Sequence, residues 1–213
     1  MPKISQLTAL TVPDSGDELP IVDVSTSTTK KITRENLLKG APLPADTVDT
    51  QAIEDGAVTA PKIAAGMIVQ QVVTTSSTYA STTALIPYDN TIPQNTEGTE
   101  FMTATITPTS ATSIIVAKME PFMGTSGANQ LIGALFKDSE ANAFAVNTAR
   151  QTGSPGPVYL TVVGKFIAGT TSSITVKFRA GLQAAGTSYI NGVAGSLFAT
   201  AGASVLTLTE IKA

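Results

Sequence analysis

Carboxylates are the side chains on which catalysis by this chain would have to rest. The 213 residues include no histidine and no cysteine, so the usual base of a nucleophilic triad and the thiolate metal ligands are missing. The closest acidic groups are Asp14, Asp17 and Glu18, then Glu54 with Asp55, and then Asp138 with Glu140. Paired oxygens suit calcium or the hydrolysis of a sugar linkage, but none of these groups has the loop spacing of a calcium site. We therefore predict solvated turn residues, no enzyme activity, no cofactor and no metal, and a carboxylate-based polysaccharide depolymerase is the weaker alternative.

Tyrosine is the residue type best suited to hold a ligand in this sequence. Aromatic rings stack on sugars, and side-chain amides supply hydrogen bonds to them. The chain has four tyrosines and no tryptophan, and Tyr189 lies beside Asn191 and Gly192 in a turn-like stretch. We predict that Tyr189 and Asn191 contact a ligand, such as a glycan of a host cell surface. Tyr159 lies inside an apolar run, which predicts that it packs in the core.

A repeat over residues 47–66 consists of two copies of one ten-residue pattern. Extended by one step, its branched apolar residues recur every five positions, at Val48, Ile53, Val58, Ile63 and Ile68. That period fits neither the two-residue period of a strand nor the 3.6-residue period of a helix, so one chain has no ordinary way to bury the stripe. Several copies wound around a common axis could each turn one branched residue per repeat inward. We predict an oligomeric stalk over residues 46–68 with these five residues at its interface.

The composition is that of a chain whose surface is covered by its neighbours. Hydrophobic residues make up 42% of it, and charged residues make up 14%, compared with about 25% in a typical soluble domain. The net charge of −3 and the lack of a basic run longer than Lys30–Lys31 argue against a nucleic-acid partner. The uncharged run between Arg179 and Glu210 includes five glycines and several polar residues, so no membrane insertion is predicted. Because the start lacks the pattern of a secretory signal, we expect synthesis in the cytoplasm.

From Ile68 onward the sequence predicts short β-strands separated by turn residues. They are expected at Val69–Thr75, Thr82–Ile86, Phe101–Thr107, Ser113–Met119, Leu131–Phe136, Val158–Phe166, Ser173–Phe178 and Val205–Ile211, with weaker ones near Ala143–Val146 and Ser196–Ala199. Apolar and polar residues alternate in Ile174–Phe178 and Leu206–Ile211, as half-buried antiparallel strands require. The fold class is therefore mainly β, an antiparallel β-sandwich of the jelly-roll type over residues 69–213. The run Ile114–Ala117 is apolar on both faces, which indicates burial against another subunit.

The first residues predict a small unit that depends on another surface for its stability. A turn cluster precedes a short strand over Leu19–Val24, which indicates a hairpin, and Thr33 is placed to cap a helical turn over Arg34–Lys39. So little apolar surface is marginal in water, and we expect the segment to fold against something else. Pro42 and Pro44 then form a stiff connector, so that the segment and its linker cover residues 1–45.

Two parts of the sequence resemble the virion fibres of tailed bacteriophages. The opening stretches resemble the N-terminal segment of such fibres, and the repeat resembles the stalk that often follows it. These stretches are Ile4–Leu7, Asp17–Val24, Thr29–Thr33, Glu54–Thr59 and Lys62–Ala64. The end of the chain, Tyr189–Val193 and Leu206–Ile211, is similar to the last strands of trimeric heads with a tumour-necrosis-factor-like jelly roll.

The resemblance implies a homotrimer that docks on the phage particle, trimerises through its stalk and carries a distal head. It implies that apolar residues of the first segment anchor the chain to a capsid, tail or baseplate protein: Ile4, Leu7, Leu19, Ile21, Val22, Val24 and Ile32. The expected function is that of a virion structural protein, a short fibre made in the bacterial cytoplasm whose head contacts the host surface. A capsid decoration protein (a cement protein or head fibre) without a receptor is the alternative.

Overall fold

The structure, a computed structural model, describes residues 18–23, 28–33, 64–153 and 155–213. The chain divides into two units, Met1–Ala57 and Val58–Ala213. The described residues are mainly β-strand and include one short 3-10 turn and no α-helix. None of their helical residues forms a segment long and apolar enough to span a membrane.

Several predictions fall on residues outside the described part of the chain. They concern the stalk residues Val48, Ile53, Val58 and Ile63, the anchor residues Ile4, Leu7 and Val24, the helical turn over Arg34–Lys39, and the carboxylates Asp14, Asp17, Glu54 and Asp55. These remain predictions from the sequence.

The described part of the first unit is an antiparallel hairpin. It consists of β1 (Glu18–Asp23) and β2 (Thr28–Thr33), and Leu19 is the register partner of Ile32. The strand expected over Leu19–Val24 corresponds to β1, but its partner β2 follows it in the sequence and is not predicted. It contains the remaining anchor candidates, which are Leu19, Ile21 and Val22 in β1 and Ile32 in β2.

Among its described residues, the second unit has twelve strands. They are β3 (Ile68–Ser76), β4 (Ala80–Thr82), β5 (Thr99–Ile106), β6 (Ile114–Glu120), β7 (Phe122–Thr125), β8 (Asn129–Lys137), β9 (Ala145–Gln151), β10 (Gly156–Tyr159), β11 (Val162–Ile167), β12 (Ile174–Leu182), β13 (Ser188–Ile190) and β14 (Ser204–Ile211). They form three antiparallel four-stranded sheets. Sheet I has the order β11-β6-β14-β3, sheet II the order β10-β7-β13-β4, and sheet III the order β5-β12-β8-β9.

Sheets I and II are built from the same four stretches of chain. β3 leads into β4, β6 into β7, β10 into β11, and β13 into β14, so the strand order is the same in both sheets. Pro121 separates β6 from β7, since proline has no N–H to donate to a sheet. Leu160 and Thr161 separate β10 from β11, which divides the single strand predicted over Val158–Phe166.

The hydrophobic core contains buried side chains from all three sheets, an arrangement consistent with an antiparallel β-sandwich. The alternation expected for β12 is present, with Ile174, Val176 and Phe178 fully buried and the residues between them partly exposed. β14 also alternates, but its inward positions include Glu210, while Ile211 points to the outer side. The alternation in the sequence does not predict that a carboxylate occupies an inward position of β14 where an apolar residue is expected.

The outer face of sheet III is covered by the loop of residues 83–98. Ile132 and Phe136 in β8 point away from the main core and are nevertheless almost completely buried. The loop contributes Ile86, which is also buried and whose N–H donates a 3.1 Å hydrogen bond to the carbonyl of Leu182. Arg179 donates two hydrogen bonds of 2.8 Å to backbone carbonyls at the end of the loop. β8 is thus buried on both of its faces.

The weak strand predicted near Ser196–Ala199 is wrong. Residues Ala199–Ala201 form the 3-10 turn, and Phe198 and Ala199 have φ values of 59° and 50°. A positive φ is incompatible with an extended strand, so residues 191–203 form a loop between β13 and β14, and both strands run antiparallel to the stretch of β6 and β7.

Candidate ligand-binding face

Aromatic side chains meet on the outer face of sheet II. In the register of β7 and β10, Phe122 lies opposite Tyr159, while the neighbouring residues of both strands point inward. Tyr79 and Tyr189 stack with their ring centroids 6.3 Å apart, and Phe198 lies 6.0 Å from Phe122. We call this surface the aromatic face, and its members are Tyr79, Phe122, Tyr159, Tyr189 and Phe198.

Two rings of the aromatic face are open to solvent. Tyr159 is 94% exposed and Phe198 is 72% exposed, whereas the other three rings are partly buried. The prediction that Tyr159 packs in the core is wrong, because Val158 and Leu160 on either side of it take the buried positions. The ring of Tyr159 is therefore free to stack against a ligand.

The connection between β13 and β14, residues 191–203, packs on the aromatic face. Two glycines leave the space that it needs. A Cβ atom on Gly124 would lie 2.5 Å from Cγ2 of Val193, and a Cβ atom on Gly192 would clash with the carbonyl oxygen of Gly195 within the loop itself. A larger residue at Gly124 would push the loop away from the sheet, and one at Gly192 would distort the loop.

The same loop holds most of the left-handed backbone conformations of the described non-glycine residues. Positive φ values occur at Asn191, Ala194, Phe198 and Ala199, and at one other non-glycine residue, Asp138. Such conformations are costly for residues with a side chain and occur often at ligand sites. They turn the backbone so that the ring of Phe198 reaches Phe122.

Asn191, one of the two predicted ligand contacts, holds the loop in place. Its side chain is fully buried, its Nδ2 donates a 2.9 Å hydrogen bond to the carbonyl of Thr78, and its Oδ1 accepts one of 2.7 Å from Ser204. Both amide atoms are thus engaged within the chain. Tyr189 is partly exposed beside it, and its contact with a ligand stays a prediction.

A concavity of about 290 Å³ lies beside Tyr159. Its lining residues are Glu120, Pro121, Phe122, Tyr159, Leu160, Thr161 and Ala203. Glu120 is about half exposed, and its carboxylate lies 2.9 Å from Nζ of Lys118. An exposed ring next to a carboxylate and a hydroxyl group is a combination that suits sugars, because the ring covers the apolar face of the sugar and the oxygens bind its hydroxyl groups.

A second concavity, of about 340 Å³, lies between the loop of residues 83–98 and β9. Its exposed ring is Tyr88, at 59% exposure, and Phe144 in its wall packs edge-on against Phe166 at 5.0 Å. Asp89 is exposed there, and hydrogen bonds from the hydroxyl and the N–H of Thr91 hold the pKa of its carboxyl below the ordinary value. This groove presents a single open ring, whereas the aromatic face presents two.

Carboxylates of the described residues do not assemble into a metal site. Within these residues no group of three or more acidic side chains could hold an ion. Asp138 accepts a 2.8 Å hydrogen bond from the N–H of Thr175, and Glu140 lies 3.5 Å from Nζ of Lys137. Both have structural partners at the turn after β8.

Glu210 is the one ionisable side chain that is fully buried in the described part of the chain. Its carboxylate accepts hydrogen bonds from Nε2 of Gln70 at 2.6 Å and from the N–H and hydroxyl of Thr109 at 2.9 and 2.7 Å. Burial acts to raise the pKa of Glu210, but the hydrogen bonds from Gln70 and Thr109, with the neighbouring Ser113 hydroxyl, lower it below the ordinary value. The hydroxyl of Ser113 is buried and has no well-formed hydrogen bond within the described residues. Glu210 joins β14 and β3 to the loop before β6.

Ile68 is the one predicted stalk residue that the structure describes. It is the first residue of β3, where it pairs with Ile211, and it is 60% exposed.

No protein-family model matches the chain, and no curated protein matches it significantly. The aromatic face and the sequence resemblance of the N-terminal part are therefore the features from which a function can be inferred.

Proposed function

We propose that this protein is a structural component of a bacteriophage virion, a homotrimeric short fibre that binds the host surface. Residues 1–45 would attach it to the particle, residues 46–68 would form the trimeric stalk, and residues 69–213 would form the head. The observation that carries host binding is the exposure of Tyr159 and Phe198 on one face, next to the carboxylate of Glu120. The sequence resemblance of the first residues to phage fibres supports the placement on a virion.

We further propose that the head is a jelly roll. If each stretch shared by sheets I and II counts as one long strand, the head has two layers of four strands each. In the layer of sheets I and II, the first stretch (β3 and β4) neighbours the last (β13 and β14), although these are far apart in sequence. Pairing of the first and last strands and two antiparallel layers are both features that support a jelly roll.

The proposed mechanism is adhesion through several weak contacts. One exposed ring with a few polar neighbours binds a sugar weakly, since most of the ligand stays in water. Three heads on one stalk would convert such contacts into a strong attachment, because the second and third binding events become intramolecular. No bond of the ligand needs to be broken for this role.

Substitution of Tyr159 tests the adhesive role. The full-length protein is incubated with an array of bacterial surface polysaccharides, and Tyr159→Ala is compared with Tyr88→Ala, which removes the same exposed side chain from the groove beside β9. We expect the wild type to bind at least one polysaccharide, Tyr159→Ala to bind it at least about tenfold more weakly, and Tyr88→Ala to bind it unchanged. If no polysaccharide is bound, or if Tyr88→Ala has the larger effect, the proposed role of the aromatic face is wrong.

Labelling of the protein on purified phage particles tests its place on the virion. Gold-labelled antibodies viewed by electron microscopy would lie at the tail or baseplate if the protein is an adhesive fibre. Labels spread over the shell lattice would instead favour the decoration role. Particles without label would contradict both.

A further inference from the structure

Four isoleucines cross the outer face of sheet I in one row. Ile167 in β11 is the register partner of Ile114 in β6, Ile114 is the partner of Ile211 in β14, and Ile211 is the partner of Ile68 in β3. The next residues inward, such as the fully buried Ile115, lie on the core side. We call these four residues the isoleucine row. One branched apolar side chain from every strand of the sheet therefore points away from the core.

The isoleucine row is open at both ends. Ile68 is 60% exposed and Ile167 is 66% exposed, and Ile114 and Ile211 between them are partly exposed. A shallow concavity of about 320 Å³ lies at the β11 end, lined by Ile114, Lys165, Phe166 and Ile167. Isolated apolar residues on a surface are ordinary, but a continuous row across four strands marks an interaction surface.

The rest of this outer face is also rich in branched residues. Val73 and Val163 at its edges are more than half exposed, and Val116 lies beside the isoleucine row. Lys118 on the same face pairs with Glu120 at 2.9 Å, which balances their charges, and Lys165, opposite Val116, is the other lysine of this face. Such a face has little to attract a charged partner such as a nucleic acid, and it suits another face of the same apolar kind.

We infer that the isoleucine row is a contact between copies of this chain, and that it continues the stalk interface into the head. The inference rests on the homotrimer of the proposed function. Ile68 belongs both to the row and to the five-residue series Val48, Ile53, Val58, Ile63 and Ile68. Association along that series brings the Ile68 residues of the copies together, and with them the edges of their isoleucine rows.

The size of the face determines how much it can contribute. From the ordinary spacing of strands and residues, it measures roughly 15 Å by 20 Å. This is less than the roughly 800 Å² per partner of a typical stable interface. The isoleucine row therefore strengthens an association that the stalk begins, and its loss weakens the oligomer without abolishing every contact.

Paired lysine substitutions in the full-length protein test this inference. Ile68→Lys with Ile167→Lys places two charges in the row at exposed positions. The matched control is Ile92→Lys with Val146→Lys, at exposed apolar residues of the groove beside β9. Light scattering over a concentration series gives the mass. We expect the row variant to dissociate at concentrations at least about tenfold higher than the wild type does, and the control to match the wild type.

Cysteine labelling gives a second readout that does not depend on changed charges. Because the chain has no cysteine, Ile167→Cys and Val146→Cys each introduce a single thiol. In one isolated chain residue 167 is more exposed than residue 146, 66% against 42%, and a maleimide would label it at least as fast. In the native oligomer we expect the order to be reversed, with Ile167→Cys at least about tenfold slower.

The outcomes separate the inference from the proposed function. The inference is overturned, and the homotrimer stays in place, if two results are found together. The row variant has the same oligomeric mass as the wild type, and Ile167→Cys in the oligomer is labelled as fast as Val146→Cys. A wild-type monomer overturns both. If the row variant fails to fold, as judged by circular dichroism, the labelling rates decide.

Discussion

Replacement of Glu210 by glutamine should destabilise the head although the two side chains have nearly the same shape. One carboxylate oxygen accepts two hydrogen bonds from Thr109, and the other accepts one from Gln70. All three groups that face the carboxylate are therefore hydrogen-bond donors. Glutamine replaces one acceptor oxygen with an NH₂ group, which must then face a donor. At least one buried hydrogen bond to a charged acceptor is lost, which costs about 1–3 kcal/mol. For a domain of this size, 2 kcal/mol lowers the Tm by roughly 4–8 °C.

Urea unfolding of the full-length protein, followed by circular dichroism at one fixed protein concentration, measures this loss. Glu120→Gln is the matched control, because Glu120 is a half-exposed glutamate of a neighbouring strand with a single partner, Lys118. An exposed pair of this kind contributes at most about 1 kcal/mol. Equal losses for Glu210→Gln and Glu120→Gln at pH 7 would refute the reasoning, since burial and the number of donors would then have no effect.

The pH dependence provides an independent check of the charge on Glu210. Its pKa in the folded protein lies below the ordinary value of 4.5, so at low pH the unfolded chain takes up the proton first. The stabilisation is complete above pH 4.5 and is lost as the pH falls through the lower, folded pKa. The difference between wild type and Glu210→Gln should therefore be largest at neutral pH and become smaller below pH 4.5. A difference that is the same at pH 7 and pH 3 would contradict a charged Glu210.

Two further substitutions test the packing that supports the aromatic face and the core. Asn191→Ala removes two hydrogen bonds of a fully buried side chain and should cost about 2 kcal/mol or more in urea unfolding. Asn147→Ala also removes two hydrogen bonds, but both are exposed, so it should cost much less; similar losses would contradict the role given to Asn191. Gly133→Ala would place a Cβ atom 2.7 Å from Cδ2 of Leu160 and should lower the free energy of unfolding by about 1–3 kcal/mol. Gly127→Ala, whose Cβ atom would have no neighbour within 4 Å, should change the free energy of unfolding little. A larger loss for Gly127→Ala than for Gly133→Ala would show that the core has room at Gly133.

Much of the strand pattern can be predicted from the sequence because period-two alternation reports directly on burial. The alternating residues of β12 and the apolar run of β8 are recognised in this way. β7 and β13 are not predicted from the sequence, because they have only four and three residues, which is too few to show a two-residue period. β10 and β11 look like one strand, since the break at Leu160 and Thr161 carries no glycine or proline to mark it.

The aromatic face could be predicted only in part. Tyr189 is picked out by its turn-like neighbours, and the order Val158-Tyr159-Leu160 contains a signal for an outward Tyr159, because both flanking residues are apolar. Phe122 and Phe198 meet through a long connection with positive φ values, which no local pattern reveals. Asn191 resembles a ligand-binding amide in sequence, and only its burial shows that it holds the loop.

The mass of the full-length protein in solution tests the central claim, that the chain works as a trimer joined by its periodic branched residues. Native mass spectrometry should give three times the chain mass of 21.8 kDa. Replacing Ile53 and Ile63 together with Asp should yield single chains, because unpaired charges are costly on a shared apolar axis, while Asp at Gln51 and Thr59 should leave the trimer intact. A wild-type mass of 21.8 kDa, or equal behaviour of the two paired variants, would contradict the account.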